Sequence, residues 1–166
     1  MAAGSTYTTI STTTTLVPTT NVTFSSIPST YTDLVLVIGG TLVGTGTNFI
    51  AIVNGDTSSN YSYTYLTGNG TSASSGRASS QGRFDIGYQP TYGTQGNILL
   101  NFYNYSNSTT YKTITSRSNQ ASSGTYAYVG LWRSTSAITQ IVIDTTGAAS
   151  NIASGSTFTL YGIAAA

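Results

Sequence analysis

Asp33-Leu-Val-Leu-Val-Ile38 is the stretch on which the fold turns. After Asp33 it is an unbroken apolar run, more than half of it β-branched, and it is too short for an ordinary helix. Such a run reads as a strand with apolar side chains on both faces and as the best candidate for a central strand. Upstream, Ile27-Pro-Ser-Thr-Tyr31 reads as a turn, with Pro28 removing a ladder donor. Before the turn, Val22 and Phe24 alternate with polar residues, so one face of Asn21–Ser25 should be buried. The chain opens with a Thr-rich run, Tyr7 to Val17.

Downstream the same signals recur. Asn48-Phe-Ile-Ala-Ile-Val53 runs into Asn54-Gly55, a strong turn dipeptide, and then Asp56. Tyr61-Ser-Tyr-Thr-Tyr-Leu66 alternates aromatic with small polar residues. Ser72–Gln81, rich in Ser, Ala and Gly, reads as a long mobile or interaction loop. Further strands are expected at Phe84–Tyr88, Asn97–Tyr105, Tyr111–Arg117, Thr125–Trp132, Ile138–Ile143 and Thr157–Ile163. Helix periodicity is missing. The expected fold class is all-β: an antiparallel two-sheet sandwich, jelly-roll-like, since no Cys-Trp-Cys frame marks an immunoglobulin domain. Residues 1–20 read as an N-terminal arm or first strand, and residues 21–166 as one β-sandwich domain.

Charge is the unusual feature of the composition. Only 5% of the residues are charged, against about 25% in ordinary domains, and net charge is +1. Solubility must then rest on hydroxyls and amides, and contacts with other molecules would be insensitive to salt. Nucleic-acid binding is not expected, because it needs clustered Lys and Arg. No stretch is apolar enough to cross a membrane as a helix, and the first residues lack the pattern of a signal peptide.

The catalytic inventory is thin. His and Cys are absent, which removes the usual general base and the ligands of zinc sites. No loop is dense enough in Asp for calcium, so no metal and no cofactor is expected. A hydroxyl nucleophile would have Lys112 as its one lysine base. The four acids each have a structural reading. Asp33 should bond nearby backbone, Asp56 belongs to the Asn54-Gly55-Asp56 turn, Asp144 should cap a strand end or pair with Arg133, and Asp85 should point to solvent. An enzyme is not expected.

The tyrosines, 13 in all, allow more. Tyr61, Tyr63 and Tyr65 share a parity and project from one face of their strand. Buried, they line the sandwich core; exposed, they form an aromatic stripe able to stack on sugar rings or to enter an interface. Trp132 beside Arg133 reads as a core or rim anchor, with cation–π stacking open to it.

Phe24–Val37, Asn54–Leu66, Gly130-Leu-Trp-Arg-Ser-Thr-Ser-Ala-Ile138 and Gly155-Ser-Thr-Phe-Thr-Leu-Tyr-Gly-Ile163 resemble a group of virion proteins of tailed phages, frequent among cyanophages. The resemblance implies a capsid decoration (cement) protein on the virion surface, docked on the major capsid protein and on copies of itself as a homotrimer. The second reading is a tail or fibre component that binds host surface glycans. A polysaccharide depolymerase is a third and more distant reading. On the cement reading the Thr6–Val17 arm would pair with a neighbour's sheet edge or with the shell. The interface candidates are then Tyr7, Thr9, Ile10, Thr12 and Leu16 of that arm, with Tyr61, Tyr63 and Tyr65.

Overall fold

Alternating side chains give each long strand one apolar face, and two antiparallel sheets bury those faces against each other. The structure, a computed structural model, describes residues 6–44, 48–88, 94–147 and 149–164, with Tyr88 described by its backbone alone. Within these residues the strands are β1 (Tyr7–Thr14), β2 (Val22–Phe24), β3 (Asp33–Gly40), β4 (Leu42–Val43), β5 (Asn48–Val53), β6 (Tyr61–Gly68), β7 (Ala73–Gln81), β8 (Phe84–Tyr88), β9 (Gly96–Tyr103), β10 (Lys112–Gln120), β11 (Gly124–Trp132), β12 (Ile141–Thr145), β13 (Asn151–Ile152) and β14 (Thr157–Ile163). Eight of them form one sheet in the order β1-β14-β3-β9-β10-β11-β6-β7. A second sheet runs β2-β12-β5-β8, and β13 with β4 makes a short two-stranded clip. The fold is the antiparallel, jelly-roll-like two-sheet sandwich read from the sequence.

The core lies between the four-stranded sheet and the part of the larger sheet beneath it. Leu34, Leu36 and Ile38 of β3, Ile98, Leu100 and Phe102 of β9, and Phe158 and Leu160 of β14 meet Phe49, Val53, Ile141 and Ile143 from the smaller sheet. Phe49 and Phe158 pack edge to face with centroids 6.3 Å apart. Val22 and Phe24 are buried as their alternation predicts.

Asp33–Ile38 and Asn54-Gly55 take the roles read for them, and one loop expectation is corrected. Asp33–Ile38 lies in β3, in the middle of the large sheet between β14 and β9, with Val35 buried and Val37 39% exposed on the outer face. Among the described residues no further sheet covers that face, and an all-apolar strand in an antiparallel sheet does not require one. Ser72–Gln81 is mostly not a loop, because Ala73–Gln81 is β7, the edge strand paired with β6. Its small side chains conceal it from β-propensity, and they answer to the partner strand. Gly76 stands opposite Tyr65, whose ring lies where a Cβ would be, 2.6 Å from the ring carbon that bears the hydroxyl. Asn54-Gly55 does turn the chain, with φ of +52° and +66° and a bond from the Asp56 amide to the Val53 carbonyl at 3.0 Å. The strands it joins nevertheless belong to different sheets.

At the amino-terminal end β1 pairs with β14 of its own chain, from Tyr7 opposite Ile163 to Thr14 opposite Thr157. Thr15 and Thr19 continue the attachment through backbone bonds to Ser156 and Ile152. The other edge of β1 has no strand beside it among the described residues. Residues 1–5 and 165–166 of the domain reading lie outside the described residues.

Candidate functional site

Four strands cannot cover eight, and the uncovered part of the inner face is where the candidate site lies. β8 is the edge of the smaller sheet. It is pressed down onto the larger one: Phe84 lies where a Cβ on Gly130 would be, 2.5 Å from that position. Ser116 donates its hydroxyl to the Ile86 carbonyl. Beyond β8, no strand among the described residues lies over the inner faces of β11, β6 and β7.

Register decides what is shown there. Tyr65 is opposite Tyr128, and Tyr126 is opposite Thr67, so tyrosines from β6 and β11 project side by side. Tyr128 lies 6.0 Å from Tyr63 and 5.3 Å from Tyr65, ring centre to ring centre. Together with Asn48, Ser74, Arg77, Ala78 and Asp85, these rings line an open groove of about 630 Å³. Tyr63, Tyr65, Tyr126 and Tyr128 are all half-buried, with ring surface left to solvent.

Polar groups border the rings. The Tyr63 hydroxyl donates to Asp85 Oδ2 at 2.7 Å. Asp85 is therefore turned into the groove, where the sequence reading had it facing solvent. Its other oxygen, Oδ1, is 4.0 Å from Arg83 Nε, a loose ion pair beyond hydrogen-bond range. Asn48 Oδ1 is buried and accepts no hydrogen bond. Burial, then the hydrogen bond to Asp85 and its charge, pushes the Tyr63 phenol well above the ordinary tyrosine range. Burial, with the charge of Asp85 after it, pushes Tyr128 up to about 12. Both phenols stay protonated at neutral pH and cannot act as a base, and the O–H of Tyr63 is already given to Asp85.

The tyrosine stripe expected as one unit is divided. Tyr61 is fully buried: it meets Phe84 edge to face at 4.8 Å and donates its hydroxyl to the Asp56 carbonyl at 2.8 Å. Tyr63 and Tyr65 line the groove. Tyr7, Thr9 and Thr12 are exposed along β1, with Tyr7 edge-on to Tyr161 at 6.2 Å. Ile10 packs against the core, and Leu16 is 86% exposed just past β1. The arm candidates therefore sit at the opposite edge of the large sheet from the groove. Sequence reasoning missed Tyr126, Tyr128, Asp85 and Asn48 as site residues. The Tyr126-Ala-Tyr128 alternation was the available signal, but which face it shares with β6 depends on pairing.

The other acids and Lys112 serve the framework. Asp33 Oδ1 accepts from the Asn104 amide at 2.6 Å, a residue near in space and far in sequence. Asp56 accepts from the Ser58 amide, the Asn60 side chain and Trp132 Nε1 at 2.9, 2.9 and 2.7 Å. Burial works to raise its pKa, but these hydrogen bonds outweigh it and hold the carboxyl at about 2. Asp144 accepts from the Thr145 amide at 2.6 Å, and Arg133 donates to the Ser59 carbonyl at 2.8 Å, so these two are not paired with each other. Lys112 is 1% exposed, its ammonium bonded to the carbonyls of Thr110 and Thr135 at 2.7 and 3.1 Å. Burial lowers its pKa, and it stands opposite Trp132 rather than beside the groove tyrosines. Among the described residues no cluster of acids could hold a metal ion.

A second groove, of about 590 Å³, runs along the outer face over Ser62, Thr64, Thr113, Val129 and Leu131, with Arg77 at its border. Tyr63 is the one aromatic residue in its lining, which is otherwise made of hydroxyl and aliphatic side chains, glycine and Arg77.

No family model matches the chain. No curated protein matches it either. Solved structures with a similar arrangement include the galectin LEC-6 of Caenorhabditis elegans, at 10% identity and TM-score 0.39, covering 93% of this chain and 96% of the galectin. Another is the PL-14 alginate lyase from Aplysia kurodai, at 10% identity and TM-score 0.32, covering 82% and 70%. The carbohydrate recognition domain of Emp46p follows at 7% identity and TM-score 0.28, covering 94% and 88%. At such distances the functional reading rests on this chain's own groove.

Proposed function

We propose that this protein is a non-catalytic binding module that holds a glycan across the tyrosine groove, as a tail or fibre component of a virus particle. One observation carries the reading: Tyr63, Tyr65, Tyr126 and Tyr128 line a single open groove on the inner face that the smaller sheet leaves uncovered. Aromatic rings with polar tips suit sugars, whose C–H faces stack and whose hydroxyls need partners. The phenols are kept protonated, which favours binding over proton abstraction. The virion setting rests on the resemblance of Gly130–Ile138 and Gly155–Ile163 to phage virion proteins, and on a composition with 5% charged residues.

The test is a titration of the full chain with glycans released from host cell surfaces, followed by NMR. Tyr65→Ala and Tyr128→Ala should each remove the shifts while circular dichroism stays unchanged. Undiminished binding by the double variant would sink the reading.

Capsid cement is the second reading. It is favoured by the uncovered outer face, where Val37, Leu66, Tyr103 and Val129 are exposed. Docking on the major capsid protein, as a homotrimer, would cover that face or extend the sheet at β1. Cryo-electron microscopy of the particle separates the two. A few copies at the tail favour glycan binding, and many copies at quasi-threefold sites favour cement.

A further inference from the structure

The large sheet ends in two edges that are built differently. β7, at one end, carries Arg77, a register shift against β6, and Ser80 at a φ of +56°. Charges and irregular backbone of this kind turn an edge away from other strands. β1, at the other end, runs for eight residues without a charge or a proline, and no strand lies beyond it among the described residues. Such an edge presents backbone donors and acceptors to a strand laid along it.

The one irregularity in β1 decides which strand that is. Thr9 stands opposite Tyr161 and Ser11 opposite Leu160, so Ile10 is an extra residue, a bulge in the middle of the strand. The bulge shifts the alternation by one. Before it Tyr7 and Thr9 face outward with Ile163 and Tyr161, and after it Thr12 and Thr14 face outward with Thr159 and Thr157. The outward set Tyr7, Thr9, Thr12 and Thr14 therefore reads the same from either end. In an unbulged strand of eight residues the first and last would face opposite sides, and two copies in full overlap would be out of phase. With the bulge, a twofold axis between Ile10 and Ser11 sets Tyr7 opposite Thr14, Thr8 opposite Thr13 and Thr9 opposite Thr12 of the second copy. All eight residues pair one to one with like faces together, because both strands carry the extra residue at the axis. A regular strand from another protein would have to take up that residue, as β14 does.

We infer that two copies of this chain pair antiparallel through β1 about that axis, joining their large sheets into one continuous sheet. The contact is a backbone ladder flanked by hydroxyls, with no ion pair for salt to screen. It closes on a twofold axis, so a homotrimer would have to form through other surfaces. The inference does not depend on the glycan reading, since β1 and the tyrosine groove lie at opposite ends of the sheet.

Sedimentation equilibrium of the full chain, over a range of concentrations and at low and high salt, makes the first test. A monomer–dimer equilibrium is expected, with a dissociation constant that salt changes less than about threefold. Register is read with cysteines, since the chain has none of its own. T9C mixed with T12C should form a disulfide-linked dimer on oxidation and neither should alone, because directly opposed residues lie within disulfide reach. T9K/T12K sets lysine against lysine on both sides of the axis and should weaken the dimer about tenfold, while T9K/T12E should keep it within about threefold. Both threonines are exposed, so circular dichroism should stay unchanged in each variant. A monomer at every concentration, or a trimer, would overturn the inference. A dimer as strong in T9K/T12K as in the unaltered chain would overturn it too, by placing the contact elsewhere. Crosslinking of T9C alone as efficient as that of the mixture would overturn the register.

Discussion

The inner face of the large sheet is two surfaces built on one ladder. Over β14, β3 and β9 it carries Phe158, Leu160, Leu34, Leu36, Ile38, Leu100 and Phe102, all buried under the smaller sheet. Over β11, β6 and β7 the same parity carries Tyr128, Tyr126, Tyr63 and Tyr65, half-buried and open. Between them β10 grades from Ile114 to Ser116 and Ser118, with β8 resting on the serines. Backbone pattern and side-chain alternation do not change across this boundary; only the presence of an opposing strand does. The apolar half holds the sandwich together, and the aromatic half is the one that the proposed binding role would use.

Substitutions should separate the two halves in order of size. Leu36→Ala, in the middle of the covered half, should cost about 2–5 kcal/mol in chemical denaturation, since it leaves a cavity under the smaller sheet. Gly130→Val strikes the boundary, because Phe84 stands 2.5 Å from where the new Cβ would lie. Lifting β8 or shifting the ring should cost about 1–3 kcal/mol. It should also change the groove tyrosines' NMR signals, which Leu36→Ala leaves in place. Tyr128→Ala removes one partner from two ring pairs on a half-exposed surface, and about 1 kcal/mol of stability is expected to go with it. If Tyr128→Ala proved as damaging as Leu36→Ala, the division into a structural and a binding half would be wrong.

Acid and alkali add a further test, because Asp56 and Tyr128 titrate well away from neutral pH. Asp56, with its carboxyl held at about 2 against an ordinary 3.8, contributes stability at pH values above 3.8. That contribution is lost as pH falls from about 4 towards 2, and it should be about 1 kcal/mol because the carboxylate is partly solvated. Tyr128 has the opposite sign. Its phenol is raised from 10.0 to about 12, so its contribution is intact below pH 10 and is lost as pH rises through 12. Urea midpoints measured across both ranges should fall at each end. In Asp56→Asn the acid-side fall should shrink, and in Tyr128→Phe the alkaline one.

Much of the fold was legible because its signals are local. Asn21–Ser25, Asn48–Val53, Tyr61–Leu66 and Thr157–Ile163 announce themselves by β-branched and aromatic alternation, and Asn54-Gly55 by its tolerance of positive φ. β7 was hidden because its residues are small, and Gly76 is small to fit under Tyr65, a requirement set by the neighbouring strand β6. Asp85 was misread because the side chain of an edge strand can turn to a partner, Tyr63, that belongs to the other sheet.

What the sequence by itself determined is an all-β chain, its principal strands, most of its apolar core, and the absence of His and Cys chemistry. Only the tertiary structure decided that Tyr61 would be sealed in the core while Tyr63 and Tyr65, two and four residues on along the same face, would line a groove. Periodicity is a property of the strand and can be read along it. Burial is a property of what lies opposite, and here the cover ends at β8, between one tyrosine and the next.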